Sequence, residues 1–189
     1  MCGICGVVRP AVDHALSETI DRMARALHHR GPDGSGKWVD STGTVGLGHA
    51  RLAVIDPAGG QQPMGSADER YVMVYNGEIY NYKQIKNRLR SQHHFISDSD
   101  SEVILHFLEE ELVRSASLVE ALTKMAKILD GVYSIAVKDQ KTGDIALARD
   151  LLGVRQLYYS EDPEQVTFAS EQKAIWRLGG NKSVKRVMP

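Results

Sequence analysis

MCGICGVVR, residues 1–9, reads from Cys2 onward as a short apolar strand that Pro10 ends. Cys2 lies directly behind Met1. An initiator methionine is removed when the next side chain is small, and Cys is small. Removal makes Cys2 the first residue, with a thiol and a free α-amino group on one carbon skeleton. An α-amino group titrates at roughly 7.7–8.0, far closer to neutrality than a lysine amine. It can act as general base toward its own thiol and needs no histidine. The competing reading makes Cys2 the second residue of a buried strand and nothing more. The spacing Cys2-x-x-Cys5 also suggests redox or metal chemistry, but residues three apart on a strand point to opposite faces. No second cysteine pair completes a zinc site, so Cys5 reads as a small buried strand residue.

The composition excludes several classes. The 189 residues suffice for one domain with a real core. A hydrophobic share of 42% and a charged share of 25% are ordinary for a soluble globular chain. Net charge is −1 with a pI near 6.7, which provides no electrostatic footprint for nucleic acid or an anionic membrane. No apolar run approaches the ~20 residues of a membrane span. No charged and then apolar leader precedes the first strand. Two cysteines do not make a disulfide framework, and a reducing, cytoplasmic setting is the expectation.

Residues 13–28 place Leu16, Ile20, Met23 and Leu27 on one helical face. HRGPDG at 29–34 is a turn, in which Arg30 and Asp33 pair with each other or hold a neighbouring loop. His28 and His29 read as a polar helix end. Residues 36–40 and 44–50 form a hairpin that runs into HARLAVID at 49–56. Arg51 stands there beside Leu52, Val54 and Ile55. An unpaired charge in such company is costly, so its guanidinium seeks a planar anion, either a ligand carboxylate or a protein one. PAGGQQPM at 57–64 is a loop, with thin grounds for reading it as a lid. YVMVY at 71–75 is a strand, and Asn76-Gly77 after it is a turn pair that favours a plain hairpin. The rival reading has the Asn76 amide and a nearby backbone N–H converge on one oxygen as an oxyanion hole, with Glu78 adjacent. A helix over 81–92 takes Asn81 as N-cap. Ser99 and Glu102 have capping-box spacing for a helix from Asp100, whose carboxylate either caps that helix or meets a ligand's ammonium. A helix at 116–129, paired strands at 131–139 and 144–150, a strand at 166–170 and a short helix in 170–178 follow. The tail from 179 to 189 reads as the start of a linker or a docking strand. Eight to ten short strands and four helices predict an α+β domain with helices covering antiparallel sheet.

MCGICGVV, HRGPDGSG, HARLAVID with GGQQPM, YNGEIYN, SDSEVIL, RDLLGVRQLYY and ASEQKAI occur in that order across residues 1–175. Together they resemble the class II glutamine amidotransferase domain, above all the N-terminal glutaminase half of glutamine-hydrolysing asparagine synthetases. The resemblance implies an N-terminal-nucleophile (Ntn) hydrolase fold, a four-layer αββα sandwich over residues 1–178. It implies that Cys2 is the nucleophile and that Asn76 with the Gly77 N–H forms the oxyanion hole. Arg51 would bind the α-carboxylate of L-glutamine, and Asp100, helped by Glu78, its α-ammonium. Backbone groups across Leu52, Ala53, Val54 and Ile55 would line the site, with GGQQP in the glutamine loop. No cofactor or metal is implied for this chain. ATP and Mg belong to a synthetase domain or subunit that would accept the ammonia. A homo-oligomer is compatible with the resemblance.

The chain departs from the family pattern in two places. It has no SGGxDS-type pyrophosphate loop and no synthetase half, and Gln156 stands where the family usually has Pro. A free-standing glutaminase or an excised domain is expected. The alternatives are an idle glutamine-sensing subunit and the ammonia-supplying subunit of a split glutamate synthase.

Overall fold

The computed structural model describes residues 1–53, 56, 59–179 and 183–188. Two antiparallel sheets lie face to face. The larger is built from β1 (Gly3–Val8), β2 (Gly34–Val39), β3 (Val45–Arg51), β8 (Tyr158–Asp162), β9 (Gln165–Ala169) and β10 (Lys185–Arg186), in the order β10-β8-β9-β1-β3-β2. The smaller takes β4 (Met64–Gly65), β5 (Tyr71–Ile79), β6 (Gly131–Asp139) and β7 (Ile145–Arg149) in chain order. Helices α1 (Leu16–Ala26) and α5 (Gln172–Trp176) cover the outer face of the larger sheet. The other outer face is covered by α2 (Tyr82–Leu89), α3 (Asp100–Leu112) and α4 (Leu118–Ala126).

Side-chain alternation makes these layers. On β1, Ile4 points inward to meet Leu47, Phe168, Val72, Val74 and Ala136 between the sheets. Cys5 and Val7 point the other way and meet Leu16, Ile20, Met23 and Leu27. Each such buried aliphatic side chain is worth roughly 1.5–3 kcal/mol against exposure, so the predicted face of α1 holds that helix to the sheet. Tyr71, Met73 and Tyr75 of β5 pack under α2, α3 and α4. The αββα sandwich expected from the resemblance is present.

The structure changes several local readings. Asn76-Gly77 does not turn. β5 runs through it and stays in register with β6 from Tyr71↔Asp139 to Ile79↔Gly131. Nine-residue pairing outweighs the turn preference of one dipeptide. Gly77 is required there by crowding, since a Cβ would come within 2.4 Å of the Val132 carbonyl oxygen. Asn81 precedes α2 but makes no side-chain cap. Its amide donates to the Ile128 carbonyl at 2.9 Å, and its oxygen accepts from Asp130 N–H at 3.1 Å, tying α2 to the segment before β6. Ser99 does cap α3, accepting from Glu102 N–H at 3.2 Å. The Glu102 carboxylate reaches past it to the N–H groups of Ile96 and Ser97, at 2.8 Å each. The tail adds β10 to the edge of β8, and Val187 N–H donates to the Leu157 carbonyl at 2.8 Å.

Candidate active site

A cavity of about 190 Å³ opens where the ends of β1, β3 and β5 meet the start of α3. Its wall includes Cys2, Arg51, Leu52, Asn76, Gly77, Glu78 and Asp100. These come from four separated segments, so the fold brings together most of the residues singled out by the sequence. Ala53 is not in the wall, and its N–H donates to Asp33 at 2.9 Å. Val54 and Ile55 lie outside the described residues.

Cys2 sits just before β1 and is half-buried. Its Sγ is 3.4 Å from the Leu52 nitrogen, which donates to it, and 3.6 Å from the Leu52 carbonyl oxygen. The Cys2 carbonyl accepts from Arg30 Nε at 2.8 Å, and Arg30 Nη1 reaches Glu171 at 2.9 Å. Arg30 therefore holds the N-terminal segment, while Asp33 holds the loop at Ala53. They do not pair with each other. Glu171 also meets His29 at 3.0 Å and Lys173 at 3.1 Å, which places His29 in this cluster rather than in the cavity wall.

Burial alone would raise the Glu171 carboxyl, but hydrogen bonds from Arg30, Lys173 and His29 outweigh it and hold the pKa at about 2. A carboxyl depressed on folding contributes stability above its unfolded pKa of roughly 4.3, lost as pH falls toward the folded value. Glu171→Gln should therefore cost on the order of 1 kcal/mol at pH 7 for so accessible a cluster. The gap between wild type and variant should close as pH falls from about 4.3 to about 2. Urea denaturation across that range checks this, and a gap constant with pH would contradict it.

On β5, Tyr75 N–H donates to Gln62 Oε1 at 2.6 Å, and Ile79 N–H donates to Asp100 Oδ2 at 3.2 Å. Backbone N–H groups of alternate residues share one edge of a strand. Gly77 stands between these two, so its N–H faces the same edge, toward the cavity it lines. The Asn76 side chain is 1% exposed, and its Nδ2 has no hydrogen-bond partner in the structure. Buried polar groups are rarely left so.

Arg51, buried at the end of β3, donates through Nη2 to the carbonyls of Asp56, at 2.8 Å, and Gly59. The guanidinium thus ties down the glycine-bearing loop while lining the cavity, and Gly60 and Gln62 of that loop are also in the wall. Asp100, the first residue of α3, is 6% exposed. Burial pushes its carboxyl upward, against hydrogen bonds from Tyr75 and Ile79. Glu78 is exposed at the rim.

The sequence reading did not single out His49, Tyr75 or Arg155 of this wall. Burial drives the His49 imidazole down to about 4, so the ring is neutral near pH 7. The nearby Tyr75 carbonyl pulls the other way, yet neither ring nitrogen reaches good hydrogen-bond geometry. For Tyr75 the available signal was strand alternation. His49 and Arg155 carried no local signal, because the wall they join is assembled from segments distant in sequence. Among the described residues, a metal-like donor group occurs only away from the cavity, at His93, His106 and Glu109. His106 Nδ1 and Glu109 are 2.7 Å apart, closer than the roughly 3.4 Å between two ligands of one tetrahedral zinc with ~2.1 Å bonds. They already satisfy each other.

A family model described as a glutamine amidotransferase domain matches residues 1–187. The chain belongs to the glutamine amidotransferase family. Its relatives place it with the class II, asparagine synthetase-like members. It is 35% identical to a putative glutamine-hydrolysing asparagine synthetase of Methanocaldococcus jannaschii, over 94% of this chain and 34% of that protein. It is 38% identical to asparagine synthetase 3 of Bacillus subtilis, over 93% of this chain and 27% of that protein. The chain thus spans about a third or less of the length of these relatives. The fold is shared with the glutamine phosphoribosylpyrophosphate amidotransferase of B. subtilis, at a TM-score of 0.81 and 22% identity. That match covers all of this chain and 46% of the other, and it makes this an Ntn-type amidotransferase fold. No helix among the described residues is long and apolar enough to cross a membrane.

Proposed function

We propose that this chain hydrolyses L-glutamine to L-glutamate and ammonia, with Cys2 as nucleophile. The observation that carries the reading is the buried, unpartnered Nδ2 of Asn76 in the same cavity wall as the Cys2 thiol and the Gly77 N–H. Two donors and a sulfur around one cavity are the elements of acyl transfer at an amide. Arg51 and Asp100 supply the charges that complement the carboxylate and the ammonium of an α-amino acid.

Met1 lines the cavity beside Cys2, and its removal frees the Cys2 amine. That amine takes the thiol proton, and sulfur attacks the side-chain carbonyl carbon. The carbonyl π pair moves onto oxygen, where Asn76 Nδ2 and the Gly77 N–H donate to it. Collapse breaks the C–N bond, and the amine returns its proton to the departing nitrogen, releasing ammonia. The γ-glutamyl thioester then reacts with water, giving glutamate and the free thiol.

The ammonia would pass to a synthetase domain or subunit that carries ATP and Mg, as in an asparagine-synthetase-like amidation. The loop that contributes Arg155 to the cavity also exposes Leu151 and Leu152, which are 79% and 83% accessible. Gln156, in place of the expected Pro, is exposed beside them. Exposed apolar side chains clustered at a site rim suit an acceptor docking there.

The test is intact mass before and after treatment with 6-diazo-5-oxo-norleucine, a glutamine analogue that alkylates such nucleophiles. Loss of Met1 and a single adduct on Cys2, blocked by excess glutamine, is the expected result. A retained Met1 with no adduct would leave a glutamine-binding subunit without catalysis.

A further inference from the structure

Tyr75 does two separable things. Its ring belongs to the core under α2, α3 and α4, and the residue is 3% exposed. Phenylalanine would fill that space equally well. Its hydroxyl, however, reaches into the cavity wall and donates to Asp100 Oδ2 at 2.7 Å. Ile79 N–H donates to the same oxygen at 3.2 Å. Two donors converging on one oxygen remove the carboxylate's freedom to rotate.

Among the described residues, no lysine or arginine forms an ion pair with Asp100. A carboxylate that is 6% exposed is then stabilised by neutral donors alone. That leaves the carboxylate open to a cation arriving through the cavity. Burial and the Asp100 charge push the Tyr75 hydroxyl well above the usual phenol range, so it remains a donor throughout.

Resting on the assignment of Asp100 to the ammonium of glutamine, we infer that Tyr75 is a positioning and specificity residue. Its hydroxyl locks the Asp100 carboxylate in the orientation that receives the substrate's α-ammonium, and so selects α-amino acid amides over amides that lack the amine. A core tyrosine with no such role would keep its hydrogen bond but show no preference between these substrates. The proposal adds no covalent step. It concerns only which ligand the buried charge accepts.

The experiment compares wild type, Tyr75→Phe and Asp100→Asn on L-glutamine and on glutaramate, which is glutamine without its α-amino group. Each ligand is read as kcat and KM, or as an inhibition constant where turnover of glutaramate is too slow. Hydrogen bonds to charged groups are strong enough that Tyr75→Phe should raise the KM for glutamine roughly tenfold. Its kcat should hold within about twofold, since the hydroxyl is not among the groups donating to the reacting amide. Affinity for glutaramate should hold within about twofold as well.

An equal loss on both substrates, or no loss on glutamine, overturns the inference. Asp100→Asn separates the two layers of the argument. If it abolishes the preference for glutamine while Tyr75→Phe leaves it intact, only the role of Tyr75 falls. If Asp100→Asn keeps the preference, the assignment of Asp100 falls and takes the inference with it.

Discussion

Cys2→Ala should lower the glutaminase rate by at least roughly 10³-fold, because nothing else in the cavity wall replaces a lost nucleophile. The second cysteine is no substitute. Cys5 is fully buried on the opposite face of β1, beneath α1, and desolvation pushes its thiol up to about 12. The neutral His49 ring lies in the wall, but an imidazole without a thiol cannot form the thioester. The fold should survive the change. Cys2 precedes β1 and is only partly buried, and its backbone carbonyl, which Arg30 holds, is untouched by the substitution. Thermal melting should therefore move by no more than a degree or two, as expected of a partly exposed site with small packing loss. Turnover of glutamine by Cys2→Ala within tenfold of wild type would remove Cys2 from the chemistry.

The readable parts of this chain were those in which a face repeats. The 4-3-4 spacing of Leu16, Ile20, Met23 and Leu27 reappears as the buried stripe of α1, and the alternation of β1 separates Cys5 from the cavity side. Where a local preference competed with a distant partner, the partner won. Asn76-Gly77 has turn chemistry, but β6 supplies nine paired residues, and the strand continues. Asn81 has capping chemistry, but Ile128 and Asp130 claim its amide. Arg30 and Asp33 bracket one turn in sequence, but Glu171 and Ala53 take them apart. The cavity residues that escaped notice follow the same rule. Tyr75 matters because its hydroxyl meets Asp100, at a sequence separation of 25, and within its loop Gln62 is fixed by meeting Tyr75 N–H, at a separation of 13. Periodicity tells which face a residue occupies. It carries no information on what stands across from that face.

Asn76→Ala should reduce kcat by ~10²–10³ while KM for glutamine holds within about threefold, the signature of a donor used in the transition state. The companion measurement is stability. Nδ2 of Asn76 is buried and unpartnered in the ligand-free protein. An unsatisfied buried donor costs roughly 1–3 kcal/mol, so its removal relieves that penalty and offsets the packing lost with the side chain. Denaturation should then show Asn76→Ala no less stable than wild type by more than about 1 kcal/mol, although the residue is 1% exposed. A purely structural asparagine would do the reverse, losing stability and keeping activity. The pairing of a large kinetic loss with a small stability change is also what separates Asn76 from its neighbour. Gly77 donates through its backbone and has no room for a Cβ beside Val132 and Tyr133. Gly77→Ala should therefore displace the strand and lower activity and stability together. If Asn76→Ala retains more than about a third of wild-type kcat, its amide does not meet the developing oxyanion, and the unpartnered nitrogen must serve the ground-state substrate instead.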